Sequence, residues 1–278
     1  MDASMGGGSD LKPRGIGDII SAAFEIYKAN FQPMITISAI VAIPAMIVTY
    51  FIQNLIIGNA VDNATNAVIV NQQTGAVTIN GGAVGNSFGT VLFGSLVVQL
   101  LLIIVIMLLT GALTRAAADG AAGSPVSAEA SYKRALKYIG PLIIASILIG
   151  LGVAFGLILF IIPGLFLLVK WSLAVPAIVI ERRGGVAAMG RSWKLTASNF
   201  WHVVGVVIVA DIIVAVVGGI ISAIFSFLVW FGRGLGAGIG QAVTIPFAAT
   251  VIVLLFIDVR VRHENYTTDQ LKADLAQE

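Results

Sequence analysis

Stretches 33–57, 91–114, 139–162, 200–230 and 241–259 of this chain are almost purely apolar. Each is about the 20 residues that an α-helix needs to cross the ~30 Å hydrocarbon core of a bilayer. A shorter apolar stretch, 165–180, follows Pro163-Gly164. That dipeptide is a turn signal between apolar runs, so 139–180 reads as two spans and the total is six. Only 11% of the 278 residues are charged and 58% are hydrophobic, whereas soluble domains carry about 25% charged residues. Packing in water could not hide this much apolar surface. The sequence contains no cysteine, which excludes disulfides and thiolate metal sites.

The basic residues orient the spans. Lys12, Arg14 and Lys28 precede the first, Arg115, Lys133, Arg134 and Lys137 follow the second, Arg182, Arg183, Arg191 and Lys194 follow the fourth, and Arg260, Arg262 and Lys272 follow the sixth. In a six-span arrangement these all fall on one side, and Arg233 alone falls on the other. The positive-inside rule then makes both termini cytoplasmic. The expected organisation is a disordered tail over 1–15, a membrane domain over 16–262 and a cytoplasmic tail over 263–278, in the inner membrane of a bacterium.

Three segments align with one another: "AAFEIYKANFQPMITISAI" from Ala22, "ASYKRALKYIGPLIIASIL" from Ala130 and "RSWKLTASNFWHVVGVVIV" from Arg191. Phe24, Tyr132 and Trp193 correspond, as do Phe31, Ile139 and Phe200. Each segment reads as a short amphipathic helix followed by a sharp turn into a span and a return span. The first helix shows Ile16, Ile19, Ile20, Ala23, Phe24 and Tyr27 at helical spacing, with Asp18, Glu25 and Lys28 opposite. Such helices either lie along the headgroups, with Phe24, Tyr132, Trp193 and Trp201 as interfacial anchors, or pack beneath the bundle as linkers. The expected fold is all-α: six transmembrane helices as three hairpins about a pseudo-threefold axis, each preceded by a cytoplasmic amphipathic helix. The first outer connection, 58–90, departs from this plan. Within it "AVIVNQQTGAVTI" suggests a small external β-hairpin.

Two ionisable residues lie deep in apolar sequence. Asp211 is eleven residues past Phe200, and Lys170 is eleven residues before Glu181. At ~1.5 Å per residue both depths are roughly 16 Å, near the bilayer midplane. An isolated charge there costs about 2.5–3.5 kcal/mol, so a Lys170–Asp211 ion pair is one expectation. Outward snorkelling of Lys170 past Trp171, with Asp211 protonated or facing a wet cavity, is the other.

The glycine-rich "GRGLGAGIG" at 232–240 lacks the strand and the Lys-Ser/Thr ending of a phosphate loop. It reads as an external turn or as small-residue helix packing through Gly234 and Gly238. Gly152 and Gly156 have the spacing that permits close helix approach. Pro44, Pro176 and Pro246 lie inside spans, where they can kink the helix. His202 and His263 belong to no metal-ligand cluster, and neither a nucleophile elbow nor a His-Glu-x-x-His motif is present. No catalytic, cofactor-binding or metal-binding residue is assigned.

The runs "LKPRGIGDIISAAFEIYKANF", "TGALTRAAADGAAGSPVSAEASYKRAL" and "IIPGLFLLVKWSLAVPAIVIERRGGVAAMGRSWKLTASNFW" together resemble the bacterial membrane domain associated with glycerophosphoryl diester phosphodiesterases. The likeness extends from about Leu11 to Tyr266 and is most specific from Pro163 to Trp193, including Glu181, Arg191 and Ser192. It implies a polytopic α-helical domain, sometimes fused to a catalytic barrel. No barrel accompanies the domain in this sequence, so phosphodiesterase activity is not carried over.

The expected function is therefore non-enzymatic: a scaffold or accessory protein in lipid or envelope metabolism, with membrane lipids and a membrane protein as partners and no nucleic acid. The alternative is a small-solute or proton-coupled transporter working through Lys170 and Asp211.

Overall fold

A computed structural model describes residues 11–70, 74, 77–228 and 230–276. Residues 1–10, most of the expected N-terminal tail, lie outside the described residues. The described chain is helical apart from its connections and one two-stranded sheet. Six of its helices are long and apolar enough to cross a membrane.

The repeat is visible in the backbone. Helix α1 (Ile16–Ala29) leads into α2 (Phe31–Asn66), α4 (Ala128–Lys137) into α5 (Ile139–Leu159), and α8 (Gly185–Ala197) into α9 (Phe200–Ile224). The aligned residues Phe31, Ile139 and Phe200 are in each case the first residue of the long helix. The residue before each has the same non-helical conformation: Asn30 at φ −115°, ψ 26°, Tyr138 at −107°, 17°, and Asn199 at −123°, 35°. One backbone setting thus turns a short helix into a long one three times. Asp18 accepts the Gly15 N–H at the start of α1, and Ser127 accepts the Ala130 N–H at the start of α4, so local capping fixes where two of the short helices begin.

All three short helices are packed rather than free. α1 buries Ile19, Ala23, Ile26 and Tyr27, α4 buries Ser131, Arg134 and Ala135, and α8 buries Ala188, Ser192, Leu195 and Thr196. The linker reading therefore describes their inner faces, while Phe24 projects outward from α1.

The return helices are α3 (Gly81–Ala121), α6 (Ile161–Trp171) continued by α7 (Ala174–Val179), and α10 (Trp230–Glu264). α2 packs on α3, α5 on α6 and α9 on α10. The three pairs contribute unequally to the bundle. α10 is the most enclosed of the long helices and packs more extensively on α2 than on its own partner α9. Glycines permit this: a Cβ on Gly238 would stand 2.7 Å from Ile43 Cα, and one on Gly234 would stand 3.0 Å from Ile47 Cα. Gly152 and Gly156 do the same between α5 and α6, against the Trp171 ring and the Gly164 backbone. The turn between those helices falls at extended Phe160, with Pro163 inside the first turn of α6, rather than at Pro163-Gly164. Proline is well tolerated there because first-turn N–H groups have no helical acceptor.

The 58–90 insert is mostly an extension of α2 and α3. Only its tip is β, with Val68–Val70 paired antiparallel to Val77–Ile79 as β1 and β2. Beyond α10, α11 (Thr268–Ala276) folds back and buries Leu271 and Leu275.

Proline in α10 creates a need that α2 meets. Pro246 has no N–H, so the Ala242 carbonyl one turn earlier loses its helical donor. The buried Ser38 hydroxyl lies 2.6 Å from that oxygen and donates to it. Ser38→Ala is expected to cost about 1–3 kcal/mol through the orphaned carbonyl. Adding Pro246→Ala, which returns the N–H, is expected to recover part of that loss. Thermal unfolding of the detergent-solubilised single and double variants measures both, and additive losses would contradict the pairing.

Candidate functional site

Lys170 and Asp211 are not brought together. Lys170 is buried at 5% exposure, with its Nζ facing the rings of Phe166 at 5.4 Å, Trp193 at 5.2 Å and Phe200 at 5.3 Å. Asp211 is exposed on α9, and no ion pair joins the two. The reason is the path of the chain before Glu181. α6 ends at Trp171 and a turn intervenes before α7, because Pro176 has no N–H to offer the Ser172 carbonyl. Lys170 is therefore carried to the level of Phe200, the first residue of α9. Asp211 stands three turns further along α9, about 16 Å away at ~1.5 Å per residue. A depth count that assumes one straight helix from Lys170 to Glu181 places the lysine too far from the charged end.

The lysine backbone is held from α8. The Ser192 hydroxyl donates to the Lys170 carbonyl at 2.7 Å and accepts the Leu173 N–H at 3.1 Å. Thr196 is at the edge of hydrogen-bond range of the same carbonyl. Trp193, next to Ser192, covers the side chain and makes an edge contact with Phe166.

The four expected anchors differ from one another. Trp201 is 80% exposed, and Phe24 and Trp193 are also exposed. Tyr132 instead turns inward and its hydroxyl donates to the Ile37 carbonyl of α2.

Most of the remaining charge gathers at one end of the bundle in two networks. In the first, Glu181 receives Arg183, Arg191 and Arg260. Arg191 and Arg260 also bind Glu264, and Arg260 reaches Asp274 of α11 at 3.1 Å. Burial works against the charge on Arg191, but hydrogen bonds to Glu264 and Glu181 outweigh it and raise its pKa above the ordinary arginine value. Burial and a 2.6 Å hydrogen bond to Asp274 push the Tyr266 phenol upward as well. In the second network the Asp258 carboxylate, 1% exposed, accepts the Arg14 N–H at 2.6 Å, Arg262 Nε at 2.7 Å and His202 Nε2 at 3.1 Å. Arg115 pairs with Asp119, and Arg115 and Arg134 both donate to the Leu275 carbonyl. The N-terminal segment, the 182–194 region and α11 therefore meet at one end.

These networks were not read from the sequence as sites. A signal was present in "LLFIDVRVRHE": an aspartate within an apolar run, with arginine four residues later on the same helical face. Among the described residues no group of His, Asp and Glu is arranged to hold a metal ion.

These features define an all-α protein with six helices long and apolar enough to cross a membrane and an ion-paired base at one end. The chain belongs to a family described as a domain of unknown function, DUF7847, whose profile matches residues 21–262. No curated protein and no solved structure matches the chain.

Proposed function

We propose that this protein is a six-span, non-enzymatic scaffold of a bacterial inner membrane, with both termini and the ion-paired base on the cytoplasmic side. Each of its three hairpins enters the bilayer after a short helix packed at that base. The observation that carries this reading is the division of its surface. Most of the charged side chains are collected at one end, many of them paired, while α5, α6 and α9 present large apolar side chains outward, among them Ile158, Ile161, Ile162, Ile212 and Ile220. In water such a surface would aggregate, whereas in hydrocarbon it is the expected exterior. A role beside lipid or envelope metabolism follows from the resemblance to the membrane domain that accompanies glycerophosphoryl diester phosphodiesterases.

The transport reading loses its central element, because Lys170 and Asp211 stand apart. Three cavities are lined by neither residue. Two of these are at the charged base, and the third is a lateral apolar groove between α1, α9 and α10.

The natural absence of cysteine makes the topology directly testable. Single cysteines at Lys137 and Lys272 are expected to react with an impermeant maleimide only after the membrane is opened. A cysteine at Thr78, in β2, is expected to react in intact spheroplasts. The opposite pattern would overturn the six-span orientation.

A further inference from the structure

We propose that Lys170, framed by Phe166, Trp193 and Phe200, is a binding site for a single phosphate group. An ammonium group carries three N–H donors and no acceptor. The rings offer it their faces at 5.2–5.4 Å, which stabilises the charge but accepts no full hydrogen bond. No carboxylate, carbonyl or hydroxyl of the described residues pairs with Nζ, although the side chain is buried at 5% exposure. The Nζ atom itself is not among the fully enclosed unpartnered polar atoms, so the stem is covered while the ammonium stays within reach of an anionic oxygen from outside the chain.

The setting selects the class of anion. Phe200 opens α9, whose first turn has no side-chain cap, so N–H groups and the positive end of a 25-residue helix lie at the level of Nζ. Trp201, 80% exposed beside it, marks the depth at which aromatic rings meet headgroups. Phosphate suits a lysine point charge beside a helix N-terminus. The level in the bilayer rests on the six-span reading, whereas the anion site rests on Lys170 itself.

The cage also breaks the internal repeat. Trp193 and Phe200 occupy the positions of Phe24 and Phe31, and of Tyr132 and Ile139. Only in the third unit does a lysine from the preceding return helix stand between them. A purely structural aromatic contact would not need the charge, since Phe31 packs on Tyr27 at 5.4 Å without one.

The test is lipid retention by the full-length protein in mild detergent, read by native mass spectrometry across a phosphatidylglycerol titration. The unaltered chain is expected to retain one phosphatidylglycerol under conditions that remove the others. Lys170→Met, which keeps length and apolarity, is expected to weaken that binding about tenfold or more, and Lys170→Arg is expected to preserve it. Lys194→Met, an exposed charge on the same helix as Trp193, serves as the control and is expected to change nothing. Displacement of the lipid by millimolar glycerol 3-phosphate would assign the site to a soluble phosphate, and resistance to it would assign it to the headgroup. Unchanged affinity in Lys170→Met, or equal weakening in Lys194→Met, overturns the assignment. Elution as a monodisperse helical species confirms that each variant is folded. Cysteine labelling requires no lipid binding, so a chain that passes it and fails here loses this site alone.

Discussion

Asp258→Ala is expected to be among the most destabilising single substitutions in this protein, costing about 3–5 kcal/mol, as is usual when one partner of a buried ion pair is removed. The carboxylate is fully enclosed and serves three donors from three segments: the backbone of Arg14, the imidazole of His202 in α9 and the guanidinium of Arg262 in α10. Its loss leaves all three without their shared acceptor, in a setting only partly open to solvent. Arg262 has a second contact, the Arg14 carbonyl at 2.6 Å, so the N-terminal segment is expected to detach together with the guanidinium. Two measurements check this: the thermal midpoint in detergent, and protease cleavage near Lys12 and Arg14, which should become fast in the variant and stay slow in the parent. Asp258→Asn keeps the size and some acceptor capacity and is expected to fall between the two. A variant with parental stability and an uncleaved N-terminus would show that the network is not what holds the two ends of the chain together.

Gly238→Leu is expected to disrupt the bundle by a different route. The first added atom would lie 2.7 Å from Ile43 Cα and 3.3 Å from the carbonyl oxygens of Ala42 and Ile43. These are backbone atoms, which cannot rotate away, so α10 would have to move off α2. Overpacking of a well-filled contact typically costs about 1–3 kcal/mol and more where backbone must shift. The α2–α10 contact is the most extensive in the molecule, so the upper end of that range or beyond is expected. Gly219 on α9 meets nothing within 4 Å, and Gly219→Leu serves as the control for adding an apolar side chain to a long helix. Folded yield and thermal midpoint should fall for Gly238→Leu and hold for Gly219→Leu. Equal behaviour of the two would remove close packing as the reason for glycine at 238.

The long helices and the repeat were legible because they rest on properties local to the sequence. Apolar length identifies the helices that can cross a membrane, and the aligned Phe31, Ile139 and Phe200 mark the first residue of each long helix. Strand signals around 68–79 identified a real pairing, but α2 and α3 run well into the stretch 58–90 expected as an outer connection. The placement of Lys170 was not legible. Its depth depends on a break between α6 and α7 that Pro176 causes from a few residues away, and a count along a straight helix passes over that break. The hub role of α10 was also hidden. Gly234 and Gly238 suggested close packing, but only the fold shows that the neighbour is α2, nearly 200 positions earlier in the sequence. The buried base was missed for a related reason. Its arginines were explained by topology alone, whereas Glu181, Asp258, Glu264 and Asp274 give most of them fixed partners.

The contact between Arg14 and Asp258 spans 244 residues, and this has a consequence for biogenesis. At roughly 5–20 residues per second, synthesis of the intervening chain takes on the order of 10–50 s. In the part of that interval between Ala121 and Trp230 the first hairpin has been made while α10, its principal packing surface, has not. Its glycine-matched face must meanwhile be covered by lipid or by insertion machinery. The closure in which α11 docks and the segment around Arg14 joins α10 therefore waits until both of those late helices have been made.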